Sequence, residues 1–306
     1  MTQKQALILS VTAAIAWGTS YLFMKIGLAG VPPMTIVALR CTIAFVVAAP
    51  FFFRRLLRVD RRTLVHSAVL GALLAVVFLC LLYGVAGTSA SAAGFLVSTT
   101  VVFVPLIQMA VSRHLPPVEI LLSIAVVTAG LFLMNGGDLS GMDAGALFCL
   151  LGGLLYAVDV LLTDRFVKGD DAISLGVLQL GFAGAFAGAG AFLFERPVLP
   201  QTTAQWGAIL GLAVLCSAYG FIVQTVVQQV ISAEAAGFLF SLEPVFSALF
   251  GFIFLQERLS FMATLGAALI LLSVFVANSD FITRRLADRN DHVGETGMAE
   301  GRTGSL

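Results

Sequence analysis

The sequence predicts an all-α, multi-span membrane protein: ten transmembrane helices arranged as two inverted five-helix repeats. Three observations carry this expectation. Hydrophobic residues make up 59% of the 306 residues and charged residues only 11%, where a soluble domain carries roughly 25% charged. Ten apolar segments reach membrane length. Two sixteen-residue stretches of the chain, residues 89–104 and 232–247, read almost alike.

A helix needs roughly 20 apolar residues to cross a hydrocarbon core of about 30 Å. The segments that qualify are 5–27, 34–53, 64–85, 91–111, 119–135, 143–164, 173–194, 205–228, 235–255 and 261–282. The first follows a short polar start without an Ala-x-Ala exit, so it is expected to be a retained helix rather than a cleaved signal. The third and fourth are separated only by Gly87, Thr88 and Ser89, which make a turn. Cys41, Cys80, Cys149 and Cys216 all fall inside spans, lack metal spacing and read as small packing residues. No metal ligand set is expected.

Basic residues set the orientation. Arg54, Arg55, Arg58, Arg61 and Arg62 crowd the link between spans two and three. Lys4, Arg113, Arg165, Lys168, Arg284, Arg285 and Arg289 fall on the same side of a ten-span chain; Arg196 and Arg258 are the exceptions. The positive-inside rule then places both termini in the cytoplasm of a bacterial inner membrane. Residues 286–306 are polar and mixed in charge, and read as a disordered cytoplasmic tail.

The repeat divides the rest. Ala90, Ala92, Ala93, Gly94, Phe95, Leu96, Ser98, Val102 and Phe103 reappear 143 positions later as Ala233, Ala235, Ala236, Gly237, Phe238, Leu239, Ser241, Val245 and Phe246. The offset is about half the spanning region, giving repeats at residues 1–137 and 138–285. Five spans per copy is odd, so the second copy enters the membrane from the opposite face, the inverted-repeat pattern of transporters. Pro105 and Pro244, a turn out of register, are expected to kink spans four and nine.

The residues Ser241-Leu-Glu-Pro-Val-Phe-Ser-Ala-Leu-Phe, Phe254-Leu-Gln-Glu-Arg-Leu-Ser and Gly266-Ala-Ala-Leu-Ile resemble the second-repeat signature of the drug/metabolite transporter superfamily, EamA branch. Ala16-Trp-Gly-Thr-Ser resembles that family's opening motif. The likeness covers roughly residues 6–280. The first copy departs from it, with His114 where the second copy has Glu257. The resemblance implies ten helices with both ends cytoplasmic, two similar halves, and a pathway lined by spans one, three, four, six, eight and nine. It fixes no substrate.

Polar residues at membrane depth mark candidate sites, because an ionisable group there needs a partner, a cavity or a purpose. Glu243 lies near mid-membrane beside Pro244, as a proton carrier, a solute contact or a neutral interhelical bond. Tyr156, Asp159 and Thr163 share one face of span six. Sliding by 139 positions puts Tyr156 on Trp17 and Asp159 on Ser20. Spans one and six therefore present comparable faces, Trp17, Ser20, Tyr21 and Met24 against Tyr156, Asp159 and Thr163. Arg40, about two turns into span two, binds an anionic group, pairs with a carboxylate or snorkels to the interface. Lys25, nearer the outer end, reads as a snorkelling anchor. Gln224 and Gln228 lie one turn apart on span eight, as solute contacts or interhelical glue. Tyr83, Ser98 and Thr99 complete the substrate-binding candidates, with Tyr219 and Thr100 beside them. Gly181, Gly184 and Gly188 form a small-residue stripe for internal packing or a dimer.

The three histidines are expected in loops or the tail. No HExxH, P-loop or GxSxG motif occurs, so neither ATP hydrolysis nor intramembrane proteolysis has its chemistry. The expectation is a non-enzymatic secondary transporter with no catalytic residues and no cofactor. It would move small organic metabolites, amino-acid-like or amphipathic, by alternating access, most simply as an exporter. Glu243 and Asp159 are the candidates for proton coupling. Its partners are the solute, the lipid bilayer and protons, with no nucleic acid, as a monomer or weak homodimer. The competing readings are an uncoupled facilitative carrier, an intramembrane lipid-modifying enzyme built on Asp159 and Tyr156, and a passive channel.

Overall fold

A computed structural model describes residues 1–112, 118–134, 143–240, 242–258, 260–269 and 271–273. Among these residues every regular element is helical and none is a strand. In chain order they are α1 (Gln3–Leu28), α2 (Pro33–Leu56), α3 (Arg61–Gly87), α4 (Ala90–Val97), α5 (Thr100–Ser112), α6 (Val118–Met134), α7 (Ala144–Phe166) and α8 (Ala172–Phe194). Then come α9 (Thr203–Gly211), a π-helical stretch (Leu212–Tyr219), α10 (Gly220–Gln228), α11 (Ala233–Phe240) and α12 (Glu243–Leu255). A short apolar helix, Phe261–Ser273, follows. The tail 286–306 and the loop carrying His114 lie outside the described residues.

Seven helical stretches are long and apolar enough to cross a membrane, and they coincide with expected spans one to four and six to eight. The other three expected spans coincide with shorter helices. Polar side chains start the helices where the backbone leaves unpaired N–H groups. Thr2 and Gln5 form a capping box on α1, as do Thr202 and Gln205 on α9. Asp60, Ser89, Asp143 and Asp171 cap α3, α4, α7 and α8. The expected turn at Gly87, Thr88 and Ser89 is present between α3 and α4.

Span four is interrupted, but not at Pro105. The break between α4 and α5 falls at Ser98 and Thr99, and Pro105 lies within α5. The hydroxyls of Ser98, Thr99 and Thr100 bond back to the carbonyls of Phe95, Leu96 and Val97 at 2.6–2.7 Å. Such back-bonding competes with the helix ladder. The second copy breaks at the same register, between α11 and α12, with Pro244 at the start of α12. Span eight contains the π-helical stretch, which the sequence did not suggest.

Large apolar side chains face outward, with Phe51, Phe192 and Phe261 80–81% exposed, while Arg40, Asp159, Gln224 and Gln228 are at most 2% exposed. This inverts the soluble pattern and suits a lipid solvent. The most extensive pairings join early helices to late ones: α2 with α8, α3 with α7 and α8, and α1 with α12. Glycines permit the close approaches. A Cβ at Gly71 would lie 2.6 Å from the Gln179 carbonyl oxygen of α8. The α8 stripe meets α2, with Gly181 against Phe45, Gly184 against Thr42 and Gly188 nearest Ala38. Its packing is internal.

α2 and α8 run antiparallel and are tied at both ends. At one end Arg55 pairs with Asp171 at 2.9 Å. At the other, Glu195 accepts from the Met34 and Thr35 amides at 3.1 and 3.2 Å, capping α2 from across the bundle. Partial burial works against the Asp171 carboxylate, but bonds from Ser174 and the Arg55 guanidinium hold its carboxyl below the ordinary range. Bonds from Thr63 do the same for Asp60. His66 was expected in a loop; it lies in α3, stacked on Phe166 and bonded to Asp170, which also pairs with Arg62.

Candidate functional site

The helices converge on a narrow cavity of about 30 Å³. Trp17 and Ser20 of α1, Arg40 of α2, Phe78 and Leu81 of α3, Val97 of α4, Tyr156 of α7, Phe221 of α10 and Glu243 of α12 line it. Every expected lining span contributes, and α2 is an addition. A drug-sized pocket holds about 300 Å³ or more, whereas this volume suits a water or two.

Four aromatic rings form one wall. Trp17 lies 4.8–6.1 Å from the ring centres of Phe240, Phe221 and Tyr156. Its indole N–H donates to the Cys216 carbonyl at 2.8 Å. That carbonyl belongs to the π-helical stretch, so the bond ties α1 to it.

Arg40 does not snorkel. It is 1% exposed, its Nε donates to the Ser217 hydroxyl at 2.9 Å, and its guanidinium carbon sits 3.8 Å above the centre of the Phe78 ring. Among the described residues no carboxylate pairs with it. The face of an aromatic ring attracts a cation, more strongly once water is excluded. The guanidinium lines the cavity. Glu243 lines the same cavity without an ion-pair partner, beside the buried Tyr21. The Tyr21 hydroxyl makes no well-formed hydrogen bond. One cation and one carboxylate thus face a small aromatic chamber.

Behind Tyr156 lies a polar relay. The Tyr156 hydroxyl donates to Gln224 Oε1 at 3.0 Å, and Gln224 Nε2 donates to Asp159 Oδ2 at 3.4 Å. Gln228 Nε2 donates to the Val160 carbonyl at 2.9 Å. Ser98 borders a second, smaller void shared with Tyr156 and Glu243. Thr99 is buried beside Gly153. The candidates Trp17, Ser20, Arg40, Tyr156 and Glu243 therefore meet at the cavity, Tyr21, Asp159, Gln224 and Gln228 stand behind its wall, and Tyr83 lies elsewhere. Tyr83 opens onto a vestibule of about 610 Å³ with Lys25, Pro32 and Pro33, because its helix end turns it outward against Phe148. Tyr219 is likewise peripheral, bonded to Thr12 at 2.6 Å. Sequence reasoning missed Phe78, Phe221, Phe240 and Ser217. The cysteines are buried and free, and no cluster of metal ligands occurs among the described residues.

Apolar helices of membrane length around a buried polar, aromatic chamber define a multi-pass membrane protein. The family model described as EamA-like transporter family matches the chain twice, at residues 4–136 and 143–279. The chain belongs to that family. It is 24% identical over 291 residues to the uncharacterized transporter YoaV of Bacillus subtilis (strain 168), covering 91% of this chain and 98% of that one. It is 27% identical over 295 residues to an uncharacterized transporter of Archaeoglobus fulgidus, covering 91% and 99%. One solved protein crystal structure superposes with a TM-score of 0.70, at 20% identity, over 93% of this chain and 99% of its own. That last likeness is of fold alone.

Proposed function

We propose that this chain is a secondary carrier for small zwitterionic or amphipathic organic solutes such as amino acids. The single observation that carries the reading is that Arg40 and Glu243 line one aromatic cavity, neither of them in an ion pair among the described residues. Arg40 suits a solute carboxylate, Glu243 an ammonium, and Trp17, Tyr156 and Phe221 an apolar body. Burying such groups is costly without partners, and a bound zwitterion would supply the opposite charge that each lacks.

The double match to one family model and the equivalent breaks in spans four and nine support two related halves. Read as ten inverted spans, with repeats at 1–137 and 138–285, they would part on alternate faces around the cavity. The basic side carries Arg55, Arg58, Arg61 and Arg62, which supports a cytoplasmic placement of that side and of both termini in a bacterial inner membrane. Export is the direction we propose, by a monomer or a weak dimer.

A thermal-shift screen of the purified protein against neutral amino acids and related amphipathic zwitterions tests the reading. The expected result is stabilisation by at least one of them, lost in both Arg40→Met and Glu243→Gln. Stabilisation that survives both substitutions places the solute elsewhere.

A further inference from the structure

Three buried oxygens behind the cavity have no hydrogen-bond partner: Asp159 Oδ1, Thr163 Oγ1 and Gln228 Oε1. Their residues are 0–2% exposed. They occupy one seam between α7 and α10. Asp159 and Thr163 are one turn apart on α7, and Gln224 and Gln228 are one turn apart on α10, so each pair shares a face. Gln224 reaches Asp159, and Gln228 reaches the carbonyl of Val160, its neighbour in the helix.

A fully buried carboxylate is sustained only by neutralisation or a positive partner. Among the described residues no arginine or lysine pairs with Asp159. The titratable groups around it are Tyr156 on its own helix, Glu243 across the cavity, and Asp164 further along α7, whose partner is Lys168. Carboxylate, hydroxyl and amide oxygens are hard ligands that suit a small hard cation or a proton.

We propose that Asp159, Thr163 and Gln228 form a monovalent-cation site, for a proton or a sodium ion, distinct from the solute cavity. The inference deepens the carrier reading and rests on it for its purpose. Gln224 is the positioning residue that joins the two sites. Its amide donates to Asp159 and accepts from Tyr156, and Tyr156 lines the cavity. A cation that draws the Asp159 carboxylate away, or a proton that turns it into a donor, changes the bond that orients Tyr156. Solute and cation thereby become linked, a coupling typically worth about 5- to 150-fold in affinity.

The chain has two tryptophans, so Trp206→Phe leaves Trp17, against Tyr156, as a fluorescent reporter. The purified full chain carrying that change is titrated with sodium chloride at fixed pH, and separately by pH in choline chloride. The expected result is a saturable Trp17 change with one of the two ions. Adding Asp159→Asn should abolish it, and adding Thr163→Val, which keeps the shape, should weaken its midpoint by about tenfold. Comparison of the parent with Asp159→Asn isolates the part of the response that depends on Asp159. No response to either ion, or titrations unchanged by both substitutions, overturns the site. Neither readout requires transport, so failure of the carrier reading leaves this test decisive.

Discussion

Ser91 gives both its backbone amide and its hydroxyl to one oxygen of Glu257, at 3.0 and 2.7 Å. The other Glu257 oxygen takes the Ala90 amide at 2.8 Å. The Ser247 hydroxyl adds a bond to the Ala90 carbonyl at 2.9 Å. A carboxylate from the end of α12 thus caps α4 across the bundle, where the helix dipole favours negative charge. This clamp lies beyond the cavity on the vestibule side, with Gly94 packed on Ser247 between them. It ties the start of α4 to the segment just after α12.

Removing the carboxylate therefore loosens the seam. Charge-assisted bonds of this kind contribute about 1.5–3 kcal/mol each. Glu257→Ala should lower the melting temperature in detergent by more than Glu257→Gln, which keeps one acceptor. Equal melting of both variants and the parent would show that the clamp contributes nothing.

The Trp17 indole bond to the Cys216 carbonyl joins α1 to the π-helical stretch. Trp17→Phe keeps an aromatic wall but leaves that carbonyl without the indole, at a cost of about 1–3 kcal/mol. The expected outcome is a lower melting temperature together with weaker solute stabilisation. Tryptophan-to-phenylalanine exchange at Trp206, which is 38% exposed, should leave both unchanged.

Glycine positions divide by what surrounds them. Gly71→Val forces a side chain into the α8 backbone and should destabilise by about 1–3 kcal/mol or more. A Cβ at Gly207 meets nothing within 4 Å, and alanine is the better helix former by about 1 kcal/mol. Gly207→Ala is expected to hold or raise the melting temperature that Gly71→Val lowers.

Acid should weaken the basic face. The carboxyls of Asp60 and Asp171 sit below their ordinary range, so the folded chain binds fewer protons than the unfolded one. Their contribution is complete above the ordinary carboxylate value of about 3.9 and is lost as pH falls through the lower folded values. Melting curves from about pH 7 to about pH 3 should decline at the acid end. Asp171→Asn should reduce that decline, since it removes one of the groups that must be protonated.

The membrane spans were legible because each is an unbroken apolar run, and lipid leaves the backbone few alternatives to helix. The helix breaks were legible only in part. Proline drew attention to spans four and nine, yet the first break belongs to Ser98 and Thr99, whose hydroxyls compete for backbone carbonyls. Trp17, Ser20, Tyr156 and Glu243 were found because the two copies align there and polar groups in lipid are conspicuous. Arg40 was ambiguous because depth along a helix does not tell which side faces the core; Ser217 and Phe78 decide it. Phe78, Phe221 and Phe240 were missed among 25 phenylalanines, since nothing local separates a cavity ring from a lipid-facing one. Glu195 had a faint signal, a carboxylate just after an apolar run, but the helix it caps is 160 positions away in sequence.

The proposed carrier function requires the Arg40–Glu243 chamber to open to each side of the membrane in turn. Ser20 lines it, and the four native cysteines are buried, so Ser20→Cys provides a reporter against the low background of the parent. In sealed proteoliposomes a membrane-impermeant maleimide is applied from one side and then, in a separate sample, from the other. Modification is expected from both sides, slowed by a solute that stabilises the protein. Modification from one side alone, or from neither, would contradict it.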